Sequence, residues 1–181
     1  MKTITTDLQG VLLLEPRVFA DNRGFFYESY NRRSFREATG YDVEFVQDNH
    51  SASTRGVLRG IHYQIRQPQG KLIRVVAGEV YDLAVDLRRS SPSFGRSTGF
   101  RLSDQNNRMA WIPPGFGHAY LALSGRAEVL YKTTDYYAPQ HERTLLWNDP
   151  ALGIDWPLEG KPILAPKDEQ GALLKDAEVY E

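Results

Sequence analysis

GVLRGIHYQIRQPQGKLIRVVAG, residues 56–78, is the stretch on which the reading of the whole chain turns. It sets His62 and Lys71 among aliphatic residues of strand character, with Arg59 close by, and it ends on Gly78. The runs LIRVV (72–76) and VYDLAVDL (80–87) flank Ala77-Gly78-Glu79, which reads as a hairpin turn. In the second run Tyr81, Leu83, Val85 and Leu87 share one face, while Asp82 and Asp86 point the other way. Further along, Trp111-Ile112 leads into the turn Pro113-Pro114-Gly115, and Ala119–Leu123 leaves it as another strand. Ala127–Thr133 reads as a further strand, with a short helical piece as the alternative. Short runs rich in Val, Ile, Leu, Tyr and Phe between turn residues are the pattern of an all-β sandwich or barrel.

Two segments read as helical. Asn31–Thr39 has an asparagine at the cap position and Gly40 at the stop. Asp168–Glu178 begins with acidic residues and carries Leu173-Leu174, a pair suited to docking on the barrel. Between Ala138 and Pro166 the prolines 139, 150, 157, 162 and 166, with Trp147 and Trp156, predict an irregular covering segment. With no repeat, low-complexity run or long linker, residues 1–181 are expected to form one domain with an N-terminal arm over roughly the first fifty.

Composition excludes several classes. A chain of 181 residues, 41% hydrophobic and 25% charged, is long enough for one well-buried core. A formal net charge of -1 gives no global pull towards nucleic acid or an anionic membrane, so an anionic ligand must be held by local arginines and lysines. The absence of cysteine removes disulfides, thiolate zinc sites and thiol catalysis. The longest clear aliphatic run, Val11–Leu14, is far too short to span a bilayer, and no basic segment with a following apolar one opens the chain. A cytoplasmic protein is expected.

The residues able to carry chemistry each admit a plainer reading. His62 titrates near neutral pH and can serve as a base, or be a core histidine satisfied by a backbone carbonyl. A base of this kind works best with a carboxylate fixing its tautomer. Lys71 precedes Leu72-Ile73 in an apolar strand: facing inward it needs an anionic partner or a developing negative charge, and facing outward it needs neither. Tyr131 is either a core aromatic or a phenol that can return a proton. Arg23 and Arg59, with the aromatics Phe19, Phe26 and Tyr137, suit a nucleotide diphosphate, since guanidinium forks match phosphate oxygens and aromatic faces stack on a base. The stretch DNRGFF (21–26) reads equally as a turn opening a strand. Neither a P-loop nor a G-x-G-x-x-G is present.

The arrangement of these motifs resembles that of a cupin, a small double-sheet β-barrel with two histidine-bearing motifs on one pocket. Metal-binding cupins place two histidines one residue apart and a glutamate seven residues before a turn glycine in the first motif. Here His62 is present, but Gln64 stands at its partner position and Lys71 at that of the glutamate. The second motif, P-x-G-x-x-H, is intact through His118. A cation in place of a carboxylate ligand argues against a divalent metal. Histidine, lysine and arginine in a barrel pocket suit taking a proton from carbon and stabilising the enolate.

The resemblance extends to a particular family, the dTDP-4-dehydrorhamnose 3,5-epimerases, metal-free cupins of deoxysugar biosynthesis. It is carried by DNRGFFYES (21–29), FVQDNHS (45–51), GVLRGIHYQ (56–64), KLIRVVAGEVYDLAVDLR (71–88), WIPPGFGHAY (111–120), YKTTDYYAP (131–139) and KDEQG (167–171). It implies a cupin jelly-roll barrel with a few short peripheral helices, and no metal or other cofactor. His62 would remove the C5 and then the C3 proton, with Asp168 as its carboxylate partner. On local sequence alone Asp168 reads as readily as a helix cap. The resemblance further implies Lys71 as the enolate-stabilising cation and Tyr131 as the acid on the opposite face. Arg59 and His118 would hold the diphosphate or line the site, Tyr137 would pack on the nucleotide, and Gln47, Asn49 and Glu28 would contact base or sugar. The N-terminal arm would cross to a partner subunit in a homodimer with exchanged strands, carrying Arg23, Phe19 and Phe26 into the neighbouring site. The implied substrate is a dTDP-4-keto-6-deoxyhexose, with no nucleic acid or membrane partner.

Other readings compete with this one. A relative inverting only C3 or only C5 would use the same base and cation. A sugar 3,4-ketoisomerase also moves protons beside a ketone, but Lys71 and KDEQG favour the epimerase. A silent nucleotide-sugar-binding module needs none of His62, Lys71 and Tyr131. A metal-dependent oxygenase is opposed by Gln64 and Lys71.

Overall fold

Thirteen β-strands and two short α-helices are distributed along residues 1–181, all of which the computed structural model describes. In chain order they are β1 (Lys2–Thr5), β2 (Leu12–Glu15), β3 (Phe19–Asp21), β4 (Gly24–Phe26), α1 (Arg32–Thr39), β5 (Gln47–Thr54) and β6 (Leu58–Gln64). There follow β7 (Lys71–Ala77), β8 (Glu79–Asp86), β9 (Ser97–Ser103), β10 (Met109–Ile112), β11 (Phe116–Ala122), β12 (Arg126–Thr133), β13 (Glu142–Thr144) and α2 (Pro166–Glu169). One sheet has the order β1-β2-β10-β7-β12-β5, and a second β13-β6-β11-β8-β9; β3 and β4 form a separate ribbon. The pairings between neighbouring long strands are antiparallel, and the two sheets close face to face as a jelly-roll sandwich.

The alternation in the central strands explains both layers of the core. On β7, Ile73 and Val75 point inward and join Val80 and Ala84 of β8, Ala110 and Ile112 of β10, and Val129 of β12. Leu72 points outward, into a cluster with Trp111 and Met109 that α1 covers through Phe35. The outward side of β8, Leu83 and Val85 together with Leu87, lies under Leu145, Leu152 and Val179 of the C-terminal half. Strands buried on both faces read as near-continuous apolar runs, which is why LIRVV shows little alternation. Each such aliphatic side chain gains about 1.5–3 kcal/mol from burial.

The turn at Ala77-Gly78-Glu79 is not a hairpin. β7 lies between β10 and β12 in one sheet, while β8 lies between β11 and β9 in the other. Gly78, at φ +75°, lets the chain cross from sheet to sheet: a Cβ there would meet the Arg126 carbonyl oxygen at 2.0 Å. Backbone groups freed at the corner are satisfied by side chains, Gly78 N–H donating to Asp104 and Glu79 N–H to Ser124. The turn signal is real, but whether a turn folds back or crosses over is set by which sheet has room for the next strand.

Helix α1 forms where its end signals stand. The Asn31 side chain accepts from the amides of Arg33 and Ser34, and Gly40 at φ +77° donates its N–H to the Arg36 carbonyl. The second expected helix is shorter than Asp168–Glu178. One turn, α2, ends at Glu169, and a 3₁₀ turn covers Leu174–Asp176. Between them Ala172 exchanges backbone hydrogen bonds with Thr144 and Leu146, and the Gly171 Cα lies so close to the Leu145 backbone that a Cβ would meet it at 2.5 Å. These sheet-like bonds take the groups a helix would use. The proline-rich segment 138–166 does cover the barrel, yet it also supplies β13, paired with β6.

Candidate active site

One end of the sandwich interior is polar and open, and it forms a cavity of about 540 Å³. The inward positions of four strands meet there. β7 contributes Lys71, β12 Tyr131, β6 His62 and β11 His118, and Asp168 enters from α2. His62 and His118 are direct cross-strand partners, and Tyr131 stands opposite Asn49 on β5. His62 thus belongs to one sheet, Lys71 and Tyr131 to the other, and the groups face one another across the cavity.

His62 donates its Nε2–H to Asp168 Oδ1 at 2.5 Å, and Asp168 is only 1% exposed. Asp168 is not the cap of α2, whose cap position is Ala165. The other ring nitrogen of His62 has no partner within the chain. Burial pushes the His62 pKa below the usual imidazole value; the hydrogen bond and charge of Asp168 oppose this, while Lys167 and Lys71 add to it. At neutral pH the ring is therefore an unprotonated base.

Lys71 is buried, facing inward, and forms no ion pair or hydrogen bond. Burial pulls its pKa down to about 8, against the attraction of Asp82 and then of Glu142, with Lys167 lowering it further. Tyr131 has a pKa raised mainly by burial, so its phenol keeps its proton. The ammonium and the phenol are both donors without an acceptor in the chain.

The cavity's rim is polar. Arg59 is held by Ser53, which accepts from Nε at 3.1 Å, and by the Ala52 carbonyl at 3.2 Å. Gly60 beside it cannot carry a side chain, because a Cβ would lie 2.4 Å from that of Ala119. Gln47 accepts the Tyr137 backbone N–H at 3.0 Å and donates its own amide to Asn49 at 2.9 Å. Tyr137 is half exposed over the opening. His118 donates Nε2–H to Asp82 Oδ2 at 2.9 Å.

Nine of the residues singled out from sequence line this one space: His62, Lys71, Tyr131, Asp168, Arg59, His118, Gln47, Asn49 and Tyr137. Four others do not. Arg23 bonds Asp21 on the β3–β4 ribbon, Phe19 and Phe26 are exposed on the same ribbon, and Glu28 accepts from Asn31 and Ser34 at the start of α1. Sequence reasoning passed over Glu142, both of whose carboxylate oxygens accept from Lys167 Nζ at 3.1 Å on the cavity wall. Its strand lay hidden in the proline-rich segment. It also passed over Asp82, visible only as a carboxylate on the inward side of β8.

The donor set does not suit a metal. No cluster of three or more His, Asp or Glu side chains is placed to hold one. Gln64, at the position of the second cupin histidine, is taken up structurally: its amide donates to the carbonyls of Gln67 and Tyr136 and its oxygen accepts from Ala138 N–H.

The fold and this cavity define a cupin barrel equipped for proton transfer, with an imidazole on one wall and an ammonium and a phenol on the other. The chain belongs to the dTDP-4-dehydrorhamnose 3,5-epimerase family, whose sequence profile matches residues 5–176. It is 60% identical over 180 residues to the dTDP-4-dehydrorhamnose 3,5-epimerase of Pseudomonas aeruginosa, covering 99% of both chains. Among solved structures, it is similar to the dTDP-6-deoxy-D-glucose-3,5-epimerase of Legionella pneumophila in complex with dTDP-4-keto-L-rhamnose. There the identity is 47% and the TM-score 0.96, with 98% of this chain and 94% of that one covered. The Bacillus anthracis dTDP-4-dehydrorhamnose 3,5-epimerase, with TDP and PPi bound, matches at 44% identity and TM-score 0.91, covering 95% and 98%.

Proposed function

We propose that this protein is the dTDP-4-dehydrorhamnose 3,5-epimerase of dTDP-L-rhamnose biosynthesis, inverting C3 and C5 of dTDP-4-dehydro-6-deoxy-D-glucose to give dTDP-4-dehydro-L-rhamnose. The observation that carries the mechanism is the opposition of His62 to Tyr131 across the cavity, with Lys71 on the same wall as Tyr131. A proton next to the C4 ketone is acidic enough for an imidazole if the enolate is stabilised. His62 takes it, and Asp168 holds the imidazolium that forms. Lys71 donates to the enolate oxygen, which is the acceptor its ammonium lacks in the free protein. Tyr131 then gives its proton to the carbon from the other face. Inversion results because base and acid stand on different sheets. His62 and Tyr131 must each be reset before the second carbon reacts. The pKa directions support this assignment, since burial leaves the base unprotonated and the acid protonated.

Arg59, His118, Gln47, Asn49 and Tyr137 are the substrate-binding side chains of this reading. Arg23, Glu28, Phe19 and Phe26 belong to it through a homodimer. The β3–β4 ribbon presents Phe19, Phe25 and Phe26 to solvent, and such an apolar surface beside Arg23 suits insertion into a second copy. β1, β2 and α1 pack on the chain's own barrel, so the exchanged part of the arm is this ribbon. The chain then acts as one catalytic domain. No helix is long and apolar enough to cross a membrane. A nucleotide-linked substrate fits work in the cytoplasm.

The test is proton NMR of the substrate with purified protein in deuterium oxide. Enzyme-dependent deuterium at both C3 and C5, without added metal or nicotinamide, is expected. Label at one carbon only would reassign the protein to a single-site epimerase, and binding without label would reduce it to a nucleotide-sugar-binding module.

A further inference from the structure

Two imidazoles face the cavity, and the mechanism above uses the carboxylate behind only one. His62 and His118, cross-strand partners on β6 and β11, each donate Nε2–H to a buried carboxylate, Asp168 and Asp82 respectively. Asp82 has no exposed surface and sits in the middle of β8, paired to Tyr120 on one side and Phe100 on the other, so it cannot shift without moving two strands. Its Oδ1 is one of two buried side-chain polar atoms in the protein with no hydrogen-bond partner; the other is Trp111 Nε1. A carboxylate oxygen left unpaired in a barrel interior is costly unless a cation lies close enough to offset it.

Lys71 is the buried cation without an ion pair. The groups that face it are Asp82 from β8, Glu142 from β13, Lys167 from α2, His62 from β6, His118 from β11 and Tyr131 from β12. Of the carboxylates around the cavity, Glu142 is tied to Lys167 and Asp168 to His62. Only Asp82 has a fully buried oxygen without a hydrogen-bond partner, and it is the strongest of the charges favouring the protonated form of Lys71.

We propose that Asp82 is a positioning residue shared by both walls of the cavity. Its Oδ2 holds His118 as the Nε2–H tautomer with Nδ1 turned to the substrate, and its Oδ1 is the fixed counter-charge of the Lys71 ammonium. The same carboxylate thereby keeps one cation charged in a dry site and orients one imidazole, while itself never touching substrate. Asp82 lies inside an apolar strand, so a wholly hydrophobic residue would pack there more easily; the carboxylate is explained by what it holds. This inference rests on the reading of Lys71 as the enolate partner, but it can be tested without turnover.

The experiment is a pH titration of protein labelled at lysine Cε, followed by carbon NMR without substrate, in the wild type, Asp82→Asn and Asp82→Ser. Lys2, Lys71, Lys132, Lys161, Lys167 and Lys175 are the only lysines, and the signal missing from Lys71→Arg identifies Lys71. The Lys71 midpoint is expected to fall by about one pH unit or more in both Asp82 variants, and the alkaline limb of kcat/KM to fall with it. A midpoint unchanged in a folded variant overturns the proposal. If neither variant folds, nitrogen NMR of the wild type decides. The protein has four histidines, and His118 must show the Nε2–H tautomer; the Nδ1–H form overturns the proposal outright. A shifted Lys71 midpoint in a protein that exchanges no substrate proton would support the counter-charge and sink the epimerase reading instead.

Discussion

Replacing Asp168 by asparagine removes one charge from the centre of the site and almost nothing else. The residue is 1% exposed and bonded to His62 at 2.5 Å, and its replacement has the same shape. When His62 takes a proton from carbon, the positive charge of its ring lies about 4 Å from the carboxylate, an attraction of about 4 kcal/mol at an effective dielectric of about 20. The neutral ring already enjoys part of this through its hydrogen bond. The net loss at the transition state is therefore about 3 kcal/mol, or about a hundredfold in kcat. A second consequence has a definite sign. Asp168 raises the His62 pKa against the larger lowering by burial, so its removal lowers that pKa further. Because the base must be unprotonated, the acid limb of kcat/KM moves to lower pH in Asp168→Asn. Deuterium wash-in by NMR across a pH series measures both effects, with a thermal melt to show that the variant is folded. A folded variant with wild-type rate and an unmoved acid limb would refute the pairing as the source of the base.

Four further variants have expected outcomes. Lys71→Met lowers kcat by about a hundredfold or more, through loss of the donor to the enolate. The same variant loses a pH dependence: a lysine pulled from 10.5 to about 8 costs the wild-type fold at most about 3 kcal/mol, fully below pH 8 and not at all above 10.5, so calorimetry should find the wild type gaining stability relative to Lys71→Met as pH rises across that window. Tyr131→Phe keeps exchange of the substrate proton with deuterium but loses product by about a hundredfold; equal loss of exchange and product would place the phenol elsewhere in the reaction. Asp86, buried yet held by Arg88, Ser91 and Ser93 so that its pKa falls from 3.8 to about 2, contributes about 2 kcal/mol of stability at neutral pH. That contribution is lost as pH drops from the unfolded value of 3.8 through about 2, and acid melts of Asp86→Asn should lack this portion of the decline. Gly78→Ala, forced to φ +75° with its Cβ 2.0 Å from the Arg126 carbonyl, should destabilise the fold by about 3 kcal/mol or more in urea unfolding; a neutral effect would mean that the sheet-to-sheet corner relaxes freely.

Much of the architecture was legible in the chain because local rules agree with the global fold. The runs around residues 72–87 and 109–133 are strands at nearly the expected bounds, and Asn31 and Gly40 bracket a helix by supplying the groups its ends lack. Legibility failed where a backbone group chose a distant partner over a near one. Asp168–Glu178 carries a plausible helical pattern, but Ala172 bonds to Thr144 and Leu146. Glu142–Thr144 shows no strand signal of its own and becomes one by pairing with β6.

The sequence by itself determined the residue types available for chemistry. It supplies a histidine and a lysine in apolar strands, a second histidine after a Pro-Pro-Gly turn, a glutamine and a lysine where metal ligands would stand, and no cysteine. Only the tertiary structure decided what those residues are to one another. Strand alternation cannot tell inside from outside, so it needed the closure of two sheets to turn Lys71 inward and to set Tyr131 opposite His62. No periodicity relates residues 106 positions apart, so the His62–Asp168 bond exists only because segment 138–166 carries α2 back to the mouth of the barrel. The Gly78 corner could be read as a turn from its glycine alone; that it carries the chain into the second sheet was decided by the place open to β8 between β11 and β9.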